Sequence, residues 1–184
     1  DEQGAAVTRI HRAIEAAQHE IFLLHGVTGS GKTEVYLEAV AKCLQLGRTA
    51  IMLVPEIALT NQVIERFIGR FGKDCIAVMH SKLTPRERYD EWHRIRSGRA
   101  RIVIGARMGV FAPADDIGLI IMDEEHEATY KSDMTPKYDT VEVAAKRLQT
   151  TGGVLLLGSA TPSVVSYERA REGIYELITL KQRY

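Results

Sequence analysis

No charge of either sign dominates this sequence. Lys and Arg together number 24 and so do Asp and Glu, so nothing draws the chain in bulk to a polyanion, and any nucleic-acid contact rests on local residues. Cysteine is scarce: Cys43 and Cys75 stand far apart, each in an apolar stretch, with no partner at metal-ligand spacing. This excludes a disulfide framework and a cysteine-rich zinc module, and both thiols read as buried groups of a protein in a reducing cytoplasm. No run reaches the ~18 uninterrupted apolar residues of a membrane helix, and the acidic opening Asp1-Glu2-Gln3 is unlike a signal peptide, so no membrane partner is expected. Internal repeats and low-complexity tracts are absent. An initiator Met is missing and Lys181-Gln182-Arg183-Tyr184 brings no stop signal, so the expectation is a fragment of a longer protein. What remains is 184 residues at 45% hydrophobic content, enough for one well-packed domain and cramped for two.

The most informative stretch is Gly26-Val27-Thr28-Gly29-Ser30-Gly31-Lys32-Thr33, which fits the phosphate-binding pattern G-x-x-x-x-G-K-[ST] at every fixed position. An apolar run, Ile21-Phe22-Leu23-Leu24, precedes it, and residues 32–40 follow with apolar side chains at helical spacing. Strand, glycine turn and helix are what the chemistry needs, because glycines let successive N–H groups face an anion at the positive end of a helix dipole. A glycine-rich turn with a chance lysine would not require that context. Resemblance to nucleotide triphosphatases implies Lys32 on the β/γ-phosphates of ATP and the Thr33 hydroxyl on Mg²⁺.

The pattern along the chain alternates. A helix over 4–18 precedes the first strand and delivers Gln3 to the loop; strands at 49–54, 76–79, 102–104, 119–122 and 154–157 alternate with helices near 59–71 and 84–96. Thr84-Pro85-Arg86-Glu87 opens the last of these with a cap and a first-turn proline. Unbroken aliphatic strands between helices predict an α/β fold with a central, mostly parallel sheet covered on both faces. Ligands of such sheets gather at the carboxyl ends of the strands. Four polar clusters end strands, at 26–33, 55–56, 123–126 and 158–161, and they are expected along one rim. Residues 130–138, with Ser132, Asp133, Thr135 and Pro136, read as the mobile segment.

Asp123-Glu124-Glu125 crowds three carboxylates at a strand end. A divalent cation would relieve their repulsion, with Asp123 holding Mg²⁺ opposite Thr33 and Glu124 orienting and deprotonating the attacking water. A solvated acidic turn is the alternative.

Asp123-Glu124-Glu125-His126 resembles the DEAH-type motif II of superfamily 2 helicases, and Gly158-Ser159-Ala160-Thr161-Pro162-Ser163 resembles their motif III. The flanks Glu34-Val35-Tyr36, Val54-Pro55-Glu56-Ile57-Ala58-Leu59-Thr60, Tyr130-Lys131 and Pro136-x-Tyr138 narrow the resemblance to the bacterial replication-restart helicases. It covers essentially residues 1–184, as the first of two RecA-like, P-loop helicase lobes. The family implies ATP hydrolysis coupled to 3′-to-5′ DNA translocation, with DNA, a second helicase lobe, a DNA-binding domain and primosome proteins as partners.

Carried over by position, the resemblance assigns Gly26, Thr28, Gly29, Ser30, Gly31, Lys32 and Thr33 to the nucleotide, and Asp123 and Glu124 to magnesium and water. His126, Ser159 and Thr161 couple nucleotide state to movement. Gln3 matches a glutamine that reads adenine, a plain surface glutamine being the alternative. Pro55, Glu56, Ile57, Thr60, His80, Ser81, Gly105 and Arg107 match positions that follow a DNA backbone, contacts that do not read sequence. An ordinary surface ion pair is the alternative for Arg107. Tyr130 and Lys131 open an aromatic-rich loop whose side chains sense a base by stacking, the alternative being a loop that packs two tyrosines. Two departures stand out. Ala106 and Met108 replace hydroxyl residues beside the arginine, and 139–144 lacks an arginine expected after Tyr138. No arginine-rich cluster follows Thr161, so an arginine finger is expected from the second lobe, and the isolated lobe is expected to be nearly inactive. Another superfamily 2 DNA translocase, or a nucleotide-gated DNA-binding module, are the alternative functions.

Overall fold

In the computed structural model, residues 2–182 are described; the readings at Asp1, Arg183 and Tyr184 lie outside them. Helix α1 (Glu2–Ala16) leads into strand β1 (Glu20–Gly26), and α2 (Lys32–Gln45) follows the glycine loop. Then come β2 (Thr49–Leu53), α3 (Asn61–Phe71), β3 (Ile76–Met79), α4 (Pro85–Arg96), β4 (Ile102–Gly105) and β5 (Ile117–Asp123). A small hairpin, β6 (Lys131–Ser132) and β7 (Tyr138–Asp139), precedes α5 (Thr140–Thr151), β8 (Val154–Ser159), α6 (Val164–Arg171) and β9 (Glu176–Leu180).

The main sheet has seven strands in the order β3-β4-β2-β5-β8-β1-β9. Every pairing in it is parallel. The expected α/β architecture therefore stands, and the physical reason is the one read from the sequence: central strands such as Leu119 to Met122 and Val154 to Leu157 are buried on both faces. Successive side chains go to opposite cores. Phe22 and Leu24 join one core with Ile10, Ile14, Val40 and Phe67, from α1, α2 and α3. Leu23 joins the other with Ile51, Ile95 and Leu148, the last two from α4 and α5. Both faces of the sheet are thus closed by the chain's own helices. No helix among the described residues is long and apolar enough to cross a membrane.

Local signals hold where their chemistry is local. Thr84 and Glu87 form a full capping box behind Pro85. Gly47, with φ of 78°, ends the turn after α2 in the left-handed region that glycine tolerates. Three features differ from expectation. Strand β9 and helix α6 had no sequence signal, because β9 alternates in burial at the sheet edge and α6 leaves Val164 and Val165 exposed. The segment read as mobile carries the β6–β7 ladder. Cys43 is fully buried, but Cys75 is only partly so, since it sits in the turn leading to the edge strand β3.

Candidate nucleotide and nucleic-acid site

Strands β2, β5, β8 and β1 are neighbours and run in one direction. Their carboxyl ends therefore place the four polar clusters on one rim, as their sequence positions led us to expect. The glycine loop bends through left-handed residues, Gly29 at φ 82° and Gly31 at φ 86°, which a β-carbon would strain. Gly31 has a second reason to be glycine: a β-carbon there would lie 1.8 Å from Gln3 Nε2. Gln3 reaches the loop from α1 and donates Nε2–H to Ser30 O at 3.2 Å. Lys32 Nζ donates to Gly26 O at 2.6 Å, which holds the ammonium at the loop mouth.

Across from it, Asp123 ends β5 with two tyrosines on it. Tyr36 of α2 donates its hydroxyl to Asp123 Oδ1 at 2.8 Å, and Tyr130 donates to the Asp123 carbonyl at 2.7 Å. Tyr36 is fully buried; burial first, and then the Asp123 charge, push its phenol well above the ordinary tyrosine range, so it remains a donor. Gly158 makes room, because a β-carbon there would fall 1.7 Å from the Tyr36 hydroxyl. Glu124 adopts φ 48°, a costly conformation for a residue with a β-carbon and one that concentrates at functional sites. Its carboxyl is raised above the usual carboxylate range, by burial and then by Asp123, against the opposing pull of Lys32 and His126.

The third member of the acidic run has a different role. Glu125 is buried, and its carboxylate accepts from Ser163 N at 2.7 Å, Ser163 Oγ at 3.1 Å and Ser166 Oγ at 2.9 Å. It therefore ties the strand end to the start of α6. His126 Nδ1 lies 2.8 Å from Ser159 Oγ, and that oxygen also accepts from Thr161 N at 3.0 Å. His126, Ser159 and Thr161 are thus one hydrogen-bonded group.

Gln3, Thr28, Gly29, Gly31, Lys32, Thr33, Asp123 and Glu124 line a single cleft of about 560 Å³. Gly26 and Ser30 are buried beneath it. Arg66 of α3 also lines the cleft and pairs with Glu34. Nothing in the local sequence marks Arg66, which falls within an ordinary amphipathic helix. No set of three or more His, Cys, Asp or Glu residues suited to a metal occurs among the described residues. Magnesium does not need one, since it binds through one or two carboxylates, waters and substrate phosphates. Asp123 fits that requirement: Tyr36 occupies Oδ1, and Oδ2 has no partner among the described residues.

The residues matched to DNA lie at the ends of β2, β3 and β4. Ile57 is 91% exposed in a short turn, Thr60 is exposed without a side-chain cap bond, and Ser81 Oγ donates to Glu56. Pro55 is buried in the floor, and His80 Nδ1 accepts from Lys82 N at 3.2 Å. Gly105 passes so near Met79 O that a β-carbon would approach it to 2.6 Å. Arg107 has no carboxylate partner among the described residues; its Nη1 donates to Thr129 O at 3.1 Å and Lys131 O at 2.8 Å, and it lies 5.7 Å from the centre of the Tyr138 ring. Lys131 is exposed. Tyr130 requires a correction: it is 2% exposed and packed in the core beneath Asp123, so although it lines the neighbouring cavity it has little free surface for stacking on a base. Where the sequence departs from the family, Met108 Sδ receives the Tyr138 hydroxyl at 3.4 Å and Asp139 caps α5 through Val141 N at 2.9 Å.

A parallel sheet with a phosphate loop facing a strand-end carboxylate pair defines a phosphate-loop nucleotide-binding lobe. The DEAD/DEAH box helicase family matches residues 3–170, and the chain belongs to that family. It is similar to the replication restart protein PriA of Bacillus subtilis, with 52% identity over 183 residues, covering 100% of this chain and 23% of the relative. The Chlamydia trachomatis replication restart protein PriA is 45% identical, with 99% of this chain and 24% of the relative covered. The chain spans about a quarter of the length of these relatives. Among solved structures, RecG bound to a three-way DNA junction gives a TM-score of 0.67 at 24% identity, over 97% of this chain and 24% of that one. The Pyrococcus furiosus Hef helicase domain gives 0.69 at 19%, over 99% and 37%. At these identities the structural likeness concerns the fold.

Proposed function

We propose that this chain is the ATP-binding lobe of an ATP-dependent DNA helicase of replication restart, moving 3′ to 5′ along DNA. The observation that carries the reading is the cleft itself, where Lys32 and Thr33 face Asp123 and Glu124 and the His126–Ser159–Thr161 group leads away from it. The similarity to proteins named for replication restart supports the biological setting. In this reading Lys32 and the loop N–H groups bind the phosphates, and Gln3 selects adenine. Thr33 and Asp123 hold Mg²⁺, whose chemistry is to neutralise charge on the transferred phosphoryl group. Glu124 orients the water and takes its proton. A change in His126 is passed through Ser159 to Thr161. The partners are DNA, the second helicase lobe, a DNA-binding domain and primosome proteins.

The transition-state arginine of such motors comes from the facing lobe, an effect of roughly 10³–10⁵ in turnover. The isolated lobe is therefore a nucleotide and DNA binder with little hydrolysis. Phosphate release by the intact protein on forked DNA tests the reading. Glu124→Gln keeps nucleotide binding and loses roughly 10²-fold in turnover; hydrolysis at the wild-type rate in that variant rejects the assignment.

A further inference from the structure

Among the described residues that line the nucleotide cleft, the cations are Lys32 and Arg66. Lys32 belongs to the phosphate loop and is held there by the Gly26 carbonyl. Arg66 comes from α3, and its Nη2 donates to the Glu34 carboxylate. Glu34 is the third residue of α2 and also lines the cleft. A carboxylate in the first turn of a helix is a resident anion at the positive end of the helix dipole. That is the end on which a phosphate is received. Arg66 is therefore paired with one anion in the place to which a nucleotide brings another.

The pair is easily exchanged. The Arg66 and Glu34 side chains are 50 and 54% exposed, and ion pairs that exposed contribute little. A phosphate offers the guanidinium a better partner, because its oxygens meet the planar fork two at a time. It also repels the Glu34 carboxylate. One turn further along the same two helices Arg70 pairs with Glu38 at 2.8 Å, and neither of these residues lines the cleft. That companion pair, with the buried Phe67, keeps α3 against α2 whichever partner Arg66 takes.

We infer that Arg66 is a ligand of the nucleotide phosphates, and that Glu34 is the competitor they displace from it. The inference rests on the nucleotide reading of the cleft. It adds a binding residue and a resident competitor, neither of which falls within residues 26–33. The two side chains then act with opposite sign: loss of the guanidinium weakens the nucleotide, and loss of the Glu34 charge strengthens it. A pair that only joined two helices would not split in this way.

Both cores of the 184-residue chain are closed by its own helices, so the chain itself is titrated calorimetrically with ADP and with inorganic pyrophosphate. EDTA keeps magnesium out of the comparison. Arg66→Ala loses roughly tenfold for both ligands, and Arg66→Lys, which keeps the charge without the fork, recovers part of the loss. Glu34→Gln gains roughly two- to fivefold, the contribution of an exposed ion pair. In the Arg66→Ala background the same substitution gains nothing, so the two effects fail to add. Arg70→Ala leaves both affinities as they were. Undiminished ADP affinity in Arg66→Ala, a Glu34→Gln variant no tighter than the wild type, a gain that persists without Arg66, or an equal loss in Arg70→Ala overturns the proposal and leaves the nucleotide reading standing. Pyrophosphate bound as well by Arg66→Ala as by the wild type places any contact on the base or ribose and overturns it too. No ADP binding by the wild-type chain overturns both.

Discussion

Replacing Tyr36 by phenylalanine removes one hydrogen bond and almost no volume. The hydroxyl lies 2.8 Å from Asp123 Oδ1, the tyrosine is 1% exposed, and Gly158 leaves just enough room for the oxygen. A hydrogen bond to a charged group contributes about 1.5–3 kcal/mol. Asp123 borders the cleft and keeps access to water, so the lower figure applies, about 1.5 kcal/mol, or a melting shift of about 3–6 °C for a domain of this size. The larger effect falls on the metal. A residue that orients a metal ligand typically carries about 10–100-fold in metal affinity, and Tyr36 fixes one carboxylate oxygen so that the other is presented to the cleft. Calorimetric titration of ADP, with Mg²⁺ and with EDTA, separates the two effects. In Tyr36→Phe the EDTA affinity stays at the wild-type value and the gain on adding Mg²⁺ shrinks about tenfold or more. An unchanged magnesium gain alongside a lowered melting temperature would refute the reasoning and leave Tyr36 as a packing residue.

Lys32→Ala removes the cation held at the loop mouth, and ADP affinity by the same titration falls roughly tenfold or more, with the melting temperature nearly unchanged; undiminished affinity contradicts the phosphate-loop assignment. Glu125→Ala leaves three donors at the start of α6 without this acceptor, that of Ser166 fully buried and the two of Ser163 partly so. The cost is about 3 kcal/mol, seen as a melting shift of roughly 6–12 °C, and a shift no larger than that of a surface carboxylate argues against the tie. Burial pushes the Cys43 thiol up to about 12, although the Arg48 charge opposes it. Iodoacetamide at about pH 8 therefore labels Cys75 and spares Cys43 until the protein is unfolded, as mass spectrometry of the peptides reads directly; equal labelling in the folded state shows that the Cys43 environment opens.

The sequence by itself determined the parts whose causes are short-range. Residues 26–33 carry their glycines and lysine in one unbroken stretch, and the backbone they demand is set by φ at Gly29 and Gly31. Aliphatic runs too apolar to face water on either side dictate a parallel, doubly covered sheet, and a strand end is where its polar residues must emerge. The tertiary structure decided everything that depends on which strands lie side by side. Tyr36 meets Asp123 across 87 residues of chain, a meeting possible because β5, β8 and β1 are consecutive in the sheet and β8 carries a glycine between them. Arg66 enters the cleft by the orientation of α3, and Tyr130 turns inward because its hydroxyl finds the Asp123 carbonyl. The cavity lined by Tyr130 and Trp92 needs α4, the turn after β4 and the hairpin at once. Periodicity reports which face of an element is buried; it carries no information on which element from far along the chain supplies the other wall, because that choice is made by packing the whole sheet at once.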